Sequence, residues 1–118
     1  MAIRNALASV AVKDLKVSLL WYQKLFGRPA DSSPMPEVAE WKFPGGGWLQ
    51  VYALPERAGG CSCTLAVSNL DEESEKLRRL GLDSSNRTDA PMVKTIMIKD
   101  PDGNSIALAE VNDQRMAH

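Results

Sequence analysis

Few side chains in this sequence could do covalent chemistry. The one histidine, His118, is the last residue, in a tail (112–118) expected to fray, and no catalytic role is read into it. Without a second imidazole, Ser9 and Ser62 have no base at hand to take a hydroxyl proton. Cys61 and Cys63 stand at i and i+2, on one face of a strand. Their Cα atoms would lie about 7 Å apart, too far for an easy disulfide. A redox pair is more often C-x-x-C at a helix start, so buried free thiols are expected. What remains is non-covalent. Trp48, Gln50 and Tyr52 alternate along WLQVY, two rings that can stack on a planar molecule around an amide that donates and accepts. Glu40 and Lys42 share a face of their segment, and Lys99 shares parity with Thr95 and Met97. Each could orient a ligand amine or carboxylate, although an exposed strand charge is ordinarily just solvated.

These residues are positioned by two stretches that say nearly the same thing. Residues 9–27 read SVAVKDLKVSLLWYQKLFG and residues 64–81 read TLAVSNLDEESEKLRRLG. Val12 recurs as Val67, Leu15 as Leu70 and Leu25 as Leu80, each at an offset of 55. A repeat seen only twice argues against a solenoid, which needs about three units. It argues for two matched halves that build one site between them.

Each half opens with an apolar alternation (5–12 and 61–68) and a residue suited to cap a helix, Asp14 or Asn69. Leu15, Leu19, Tyr22 and Phe26 form one helical stripe, and Gly27 supplies a left-handed stop. Trp21 and Tyr22 are read as core or interface packing. In the second helix Asp71, Glu72 and Glu73 come first and Lys76, Arg78 and Arg79 last, matching the helix dipole, with Leu77 and Leu80 inward and Gly81 at the end. Segment 29–36, with three prolines, is an edge strand or a loop. Segments 37–43 and 48–54 make a hairpin around 44–47, and the parity of 37–43, hence the facing of Trp41, stays open. Residues 83–89 form a polar edge. Segments 93–99 and 105–111 make a last hairpin around 100–104, where proline fixes φ and Gly103 supplies a positive one. The order is β-α-β-β-β, twice.

Composition bounds the rest. The 118 residues fit one domain. A net charge of −1 offers no footprint for nucleic acid. No apolar run approaches a membrane span, and residues 1–12 lack a signal-peptide pattern. A cytoplasmic protein with no nucleic-acid or membrane partner is expected.

The chain resembles the vicinal oxygen chelate superfamily, which groups glyoxalase I, bleomycin-resistance proteins and extradiol dioxygenases. The resemblance covers residues 5–111. It is carried by VAVKDL (10–15) leading to Trp21-Tyr22 and Leu25-Phe26-Gly27, by Leu65-Ala66-Val67 with Leu70, and above all by DPDGNSI (100–106). It implies an α+β fold in a single domain (1–118): two βαβββ modules, 5–54 and 61–111, joined by linker 55–60, with mixed sheets curled around a shared cleft. It also implies paired chains, so a homodimer is expected, with the cleft inside one chain or across two.

In the glyoxalase pattern, the resemblance places four metal-ligand positions at Leu7, Gln50, Ser62 and Ala107. The dioxygenases' two histidines and glutamate are likewise missing from these places. A catalytic divalent ion needs about three protein ligands from His, Cys, Asp or Glu. Leu7 and Ala107 have no donor atom, so no metal and no cofactor is expected.

Strand parity sorts the remaining positions. Val10, Val12, Leu49, Val51, Leu65, Val67, Ile106 and Leu108 should face the helices. The opposite, cleft face then carries Leu7, Ser9, Ala11, Trp48, Gln50, Tyr52, Ser62, Thr64, Ala66, Ala107 and Ala109. Most of these are small, and so short a face cannot close-pack across about 10 Å without voids. The leading expectation is a metal-independent protein that resembles the bleomycin-resistance branch and, as that resemblance implies, sequesters a small, often aromatic, ligand, here through Trp48, Gln50, Tyr52, Ser9, Ser62, Thr64, Ala107 and Lys99. The alternatives are an enzyme, with displaced metal ligands or a metal-free site using Glu40, Lys42 or Lys99, and a non-catalytic dimeric interaction domain.

Overall fold

The computed structural model describes residues 2–111; His118 and the tail 112–118 lie outside them. The chain runs β1 (Leu7–Val12), α1 (Leu15–Phe26), β2 (Val38–Lys42), β3 (Trp48–Ala53), a 3-10 turn (Pro55–Arg57), β4 (Ser62–Ala66), α2 (Leu70–Arg79), β5 (Arg87–Asp89), β6 (Val93–Lys99) and β7 (Ser105–Val111). The strands form two mixed sheets, ordered β1-β3-β2 and β4-β7-β6-β5. The fold is α+β, as the sequence pattern predicts.

Both helices begin at the expected caps. The Asp14 carboxylate takes the Lys16 N–H at 3.0 Å, and the Asn69 side chain takes that of Glu72 at 3.2 Å. Glu110 on β7 accepts from the Leu70 N–H at 2.8 Å, which ties α2 to its sheet by a contact no local pattern shows. Tyr22 and Leu25 are the buried apolar residues of α1. On α2, Leu70 and Leu77 are buried, while Leu80, expected to face inward, sits half-buried at the cap.

The proline-rich segment 29–36 is a loop with a single bridge, Ser32 to Glu40. Asp31 and Ser32 donate their N–H groups to the Glu40 carbonyl, and Glu40 returns one to Ser32. Prolines on both sides remove the donors a longer ladder would need. The first half therefore has a bridge where the second has β5.

The parity assignment holds. Val10, Val12, Leu49, Val51, Ile106 and Leu108 are buried in one core, with Leu65 and Val67 partly buried against it. Trp41 joins that side, fully buried, and its Nε1–H donates to the Arg28 carbonyl at 3.2 Å. Its ring packs on Phe26 and Tyr22, with centroids at 5.3 and 6.1 Å. Cys61 and Cys63 are free thiols but only half-buried; Cys63 lies on β4, a sheet edge with one neighbour, and Cys61 just before it.

The repeat extends to the hairpin turns. In 43–47 the Phe43 N–H bonds the Gly47 carbonyl and the Gly46 N–H bonds Phe43. In 100–104 the Asp100 N–H bonds Asn104 and the Gly103 N–H bonds Asp100. Gly46 and Gly103 both have positive φ, +100° and +90°. The turns match in backbone and differ in side chains: FPGGG against DPDGN.

That difference joins the halves at one end. Asn104, fully buried, donates from Nδ2 to the Ala11 carbonyl and to Asp100 Oδ2, both at 2.8 Å. Its Oδ1 accepts from the Gly59 and Cys61 N–H groups at 2.9 and 3.0 Å. Asp100, also buried, accepts from the Tyr22 hydroxyl at 2.8 Å and from the Asp102 and Asn104 N–H groups, each at 2.9 Å. Asp102 takes the Lys13 N–H at 3.1 Å. Gly59, at φ +95°, lies so close that a Cβ would stand 2.8 Å from the Asp102 carbonyl. Burial, reinforced by the Asp100 charge, pushes the Tyr22 phenol well above its usual range, so it stays a proton donor.

Asn104→Ala should therefore cost about 3 kcal/mol, since it strands several buried groups at once. Tyr22→Phe should cost about 1–2 kcal/mol, because Asp100 keeps its other donors. Urea denaturation checks both the size and the order.

Candidate functional site

On the face away from the helices, strand register lays the side chains out as two matching grids. In the first sheet the rows are Lys42–Trp48–Leu7, Glu40–Gln50–Ser9 and Val38–Tyr52–Ala11. In the second they are Lys99–Ser105–Ser62, Met97–Ala107–Thr64 and Thr95–Ala109–Ala66. The four positions that the resemblance marks for metal fall in the first two rows of these grids: Leu7 and Ser62 in the first, Gln50 and Ala107 in the second.

The middle row of the first grid is a continuous hydrogen-bonded line. The Ser32 hydroxyl donates to Glu40 Oε1 at 3.1 Å, Gln50 Nε2 donates to Glu40 Oε2 at 3.0 Å, and the Ser9 hydroxyl donates to Gln50 Oε1 at 3.3 Å. A carboxylate only accepts, so it fixes which way the Gln50 amide turns. Ser9 is exposed and Gln50 and Glu40 are half-buried. In the row above, the Lys42 ammonium lies 5.6 Å from the centre of the Trp48 ring, a cation–π contact. Its counterpart Lys99 donates to the Ser105 hydroxyl at 2.6 Å.

The second grid is smoother. Ser62, Thr64 and Ala66 are exposed, while Ala107 and Ala109 are buried. Among the described residues no three of His, Cys, Asp and Glu come together to hold a metal ion. Gln50 and Ser62 are the only donors at the four metal positions, and the Gln50 amide is already engaged. The donor set does not fit a divalent ion.

The structure does not gather all the sequence-selected residues into one enclosed hollow. A cavity of about 1070 Å³ runs along the seam between β1 and β4, and Leu7, Trp48, Thr64 and Ala66 line it with Phe43–Gly47 residues and core side chains such as Leu25, Phe26 and Leu65. Ser9, Gln50, Tyr52, Ser62, Lys99 and the buried Ala107 stand outside it. The reason lies in the turns. At the closed end of the seam the 100–104 side chains grip β1. At the other end 43–47 faces 64–68, and among the described residues no hydrogen bond joins them, because Gly45 and Gly47 stand where Asp102 and Asn104 stand in the second turn. Sequence parity gave Glu40 no fixed facing; its place across from Gln50 puts it in the site.

A domain of two small mixed sheets with two helices on one side is a recognisable class. No protein-family model and no curated protein matches the chain. Among solved structures, a glyoxalase/bleomycin resistance protein from Catenulispora acidiphila is 33% identical with a TM-score of 0.82, over 91% of this chain and 97% of that one. The chain belongs to the vicinal oxygen chelate superfamily, in its glyoxalase/bleomycin-resistance group. More distant structures share the fold. An antibiotic-binding protein from a Streptomyces species is 22% identical with a TM-score of 0.77, over 95% and 99% of the two chains. A lactoylglutathione lyase from Agrobacterium tumefaciens is 16% identical with a TM-score of 0.76, over 93% and 95%.

The polar row is built on half-exposed groups that water can serve if a partner is lost. Gln50→Leu should lower stability by about 1 kcal/mol or less, far below the cost at Asn104. The same urea titration tests this, and a loss of several kcal/mol would mean that the row is structural.

Proposed function

We propose that this protein binds a small, often aromatic, organic molecule on the face carrying Trp48, Gln50 and Tyr52, and sequesters it without a metal and without chemistry. The observation that carries this reading is the chemistry of the four family metal positions. Two have no donor atom, and the Gln50 amide is spent on Glu40 and Ser9. In place of a metal quartet the face offers aromatic rings around a polar row, the usual make-up of a ligand site. Neighbours of the same fold include both an antibiotic-binding protein and a lyase, so the residues, not the fold, decide between binding and catalysis.

The reading also takes the chain as one domain of two modules, 5–54 and 61–111, that pairs with a second copy. Ser9, Ser62 and Thr64 are exposed in the single chain, so a partner sheet could complete the cleft over them. No helix is long and apolar enough to cross a membrane among the described residues.

Titrating a panel of aromatic compounds and antibiotics should change tryptophan fluorescence, and Trp48→Phe should remove that change while Trp21 and Trp41 remain. No response across the panel would count heavily against the reading. Protein purified without chelator should hold far less than one divalent ion per chain by elemental analysis; a stoichiometric ion would overturn the metal-free assignment. Sedimentation at micromolar concentration should give the mass of a dimer.

A further inference from the structure

We infer that the molecule held on this face carries a positive charge, and that the Glu40 carboxylate selects it. The inference rests on the binding reading above and adds the chemical class of the ligand: an organic cation, such as a protonated amine, on an aromatic body.

Glu40 holds a negative charge that the protein leaves uncompensated. Its two side-chain partners, the Ser32 hydroxyl and the Gln50 amide, are neutral. Among the described residues no Lys or Arg forms an ion pair with it. The nearby cations are engaged elsewhere. Lys42, one row up the same face, sits over the Trp48 ring. Arg28 pairs with Asp31 at 2.6 Å and donates to the Lys42 carbonyl at 2.5 Å. A half-buried carboxylate held only by neutral donors remains free to attract a cation from outside the chain.

A purely structural role does not require the charge. The bridge to 31–32 is already made by three backbone hydrogen bonds of Glu40 itself. What the charge does is set the polarity of the row. It draws the Gln50 NH2 group toward itself, so the Gln50 carbonyl and the Ser9 oxygen complete a line rich in acceptors. An ammonium group, with three donors and no acceptor, is the complement of such a line. Trp48 and Tyr52 lie on either side of Gln50 along β3, where the rings can cover the apolar body and Tyr52 can add cation–π attraction. Lys42 and Lys99 stand one row away toward the exposed end. An anion drawn to them would meet the Glu40 charge beside it.

The test is calorimetric titration with three probes sharing one ring: 1-naphthylmethylammonium, neutral 1-naphthylmethanol and anionic 1-naphthylacetate. The cation should bind about tenfold or more tightly than the alcohol, as a charge-assisted hydrogen bond allows, and the acetate weakest. Glu40→Gln should remove the cation's advantage and leave the alcohol within twofold. Raising the salt concentration should weaken the cation alone, a readout that needs no variant to fold. Equal binding of all three probes, or tighter binding of the acetate, overturns the charge inference and leaves the binding reading standing. No binding of any probe at millimolar concentration overturns both.

Discussion

The two halves are held in place by a buried carboxylate and amide. Asp100 and Asn104 are both out of solvent, and their polar atoms are served by the chain itself: a hydroxyl from α1, a carbonyl from β1, and N–H groups from Gly59, Cys61 and their own turn. Two polar side chains so placed would cost several kcal/mol if the halves moved apart and left them unpaired. They therefore set the position of β1 against β4. Everything on the free face depends on that position, because the two grids belong to one site only if their inner edge strands lie together.

The two halves share their parts and use them differently. The turn in the second half carries polar side chains that clamp β1. The turn in the first half has three consecutive glycines and the same backbone hydrogen bonds, and its link beyond the turn is the Asn5 amide donating to the Gly46 carbonyl, within its own half. The seam is consequently shut at Ala11 and Cys61 and open at 64–68. The free faces diverged in the same manner. The first carries the rings, the amide and the carboxylate, while the second is nearly bare apart from Lys99 and small hydroxyls. Functional groups are concentrated on one half and small side chains on the other.

This division separates two ways of building a site on the fold. A metal site draws ligands from both halves and fails when either side loses its donors. A stacking surface with a polar row can reside in one half. The first sheet builds its row from adjacent strands at fixed register, so the row needs no ion to hold it together.

Much of this was legible in the sequence because it is local. Caps at Asp14 and Asn69, the glycine stop at Gly27, the turn at 100–104 and the alternation that sends Val10 inward and Ser9 outward follow from backbone geometry over a few residues. The absence of donor atoms at Leu7 and Ala107 needed only the identities of those residues. Parity was unreadable where a strand alternates weakly. In VAEWK, a buried tryptophan and an outward glutamate could not be told from the reverse until Glu40 was seen opposite Gln50. The tertiary structure alone decided what lies far apart in the chain: that Tyr22 caps Asp100, that Asn104 holds Ala11, that Ser32, Glu40, Gln50 and Ser9 form one line, and that the seam closes at a single end. Residue type limits what each of these groups can donate or accept. Only the register of strands and the docking of one half on the other bring donor and acceptor within 3 Å, and that geometry is a property of the whole chain.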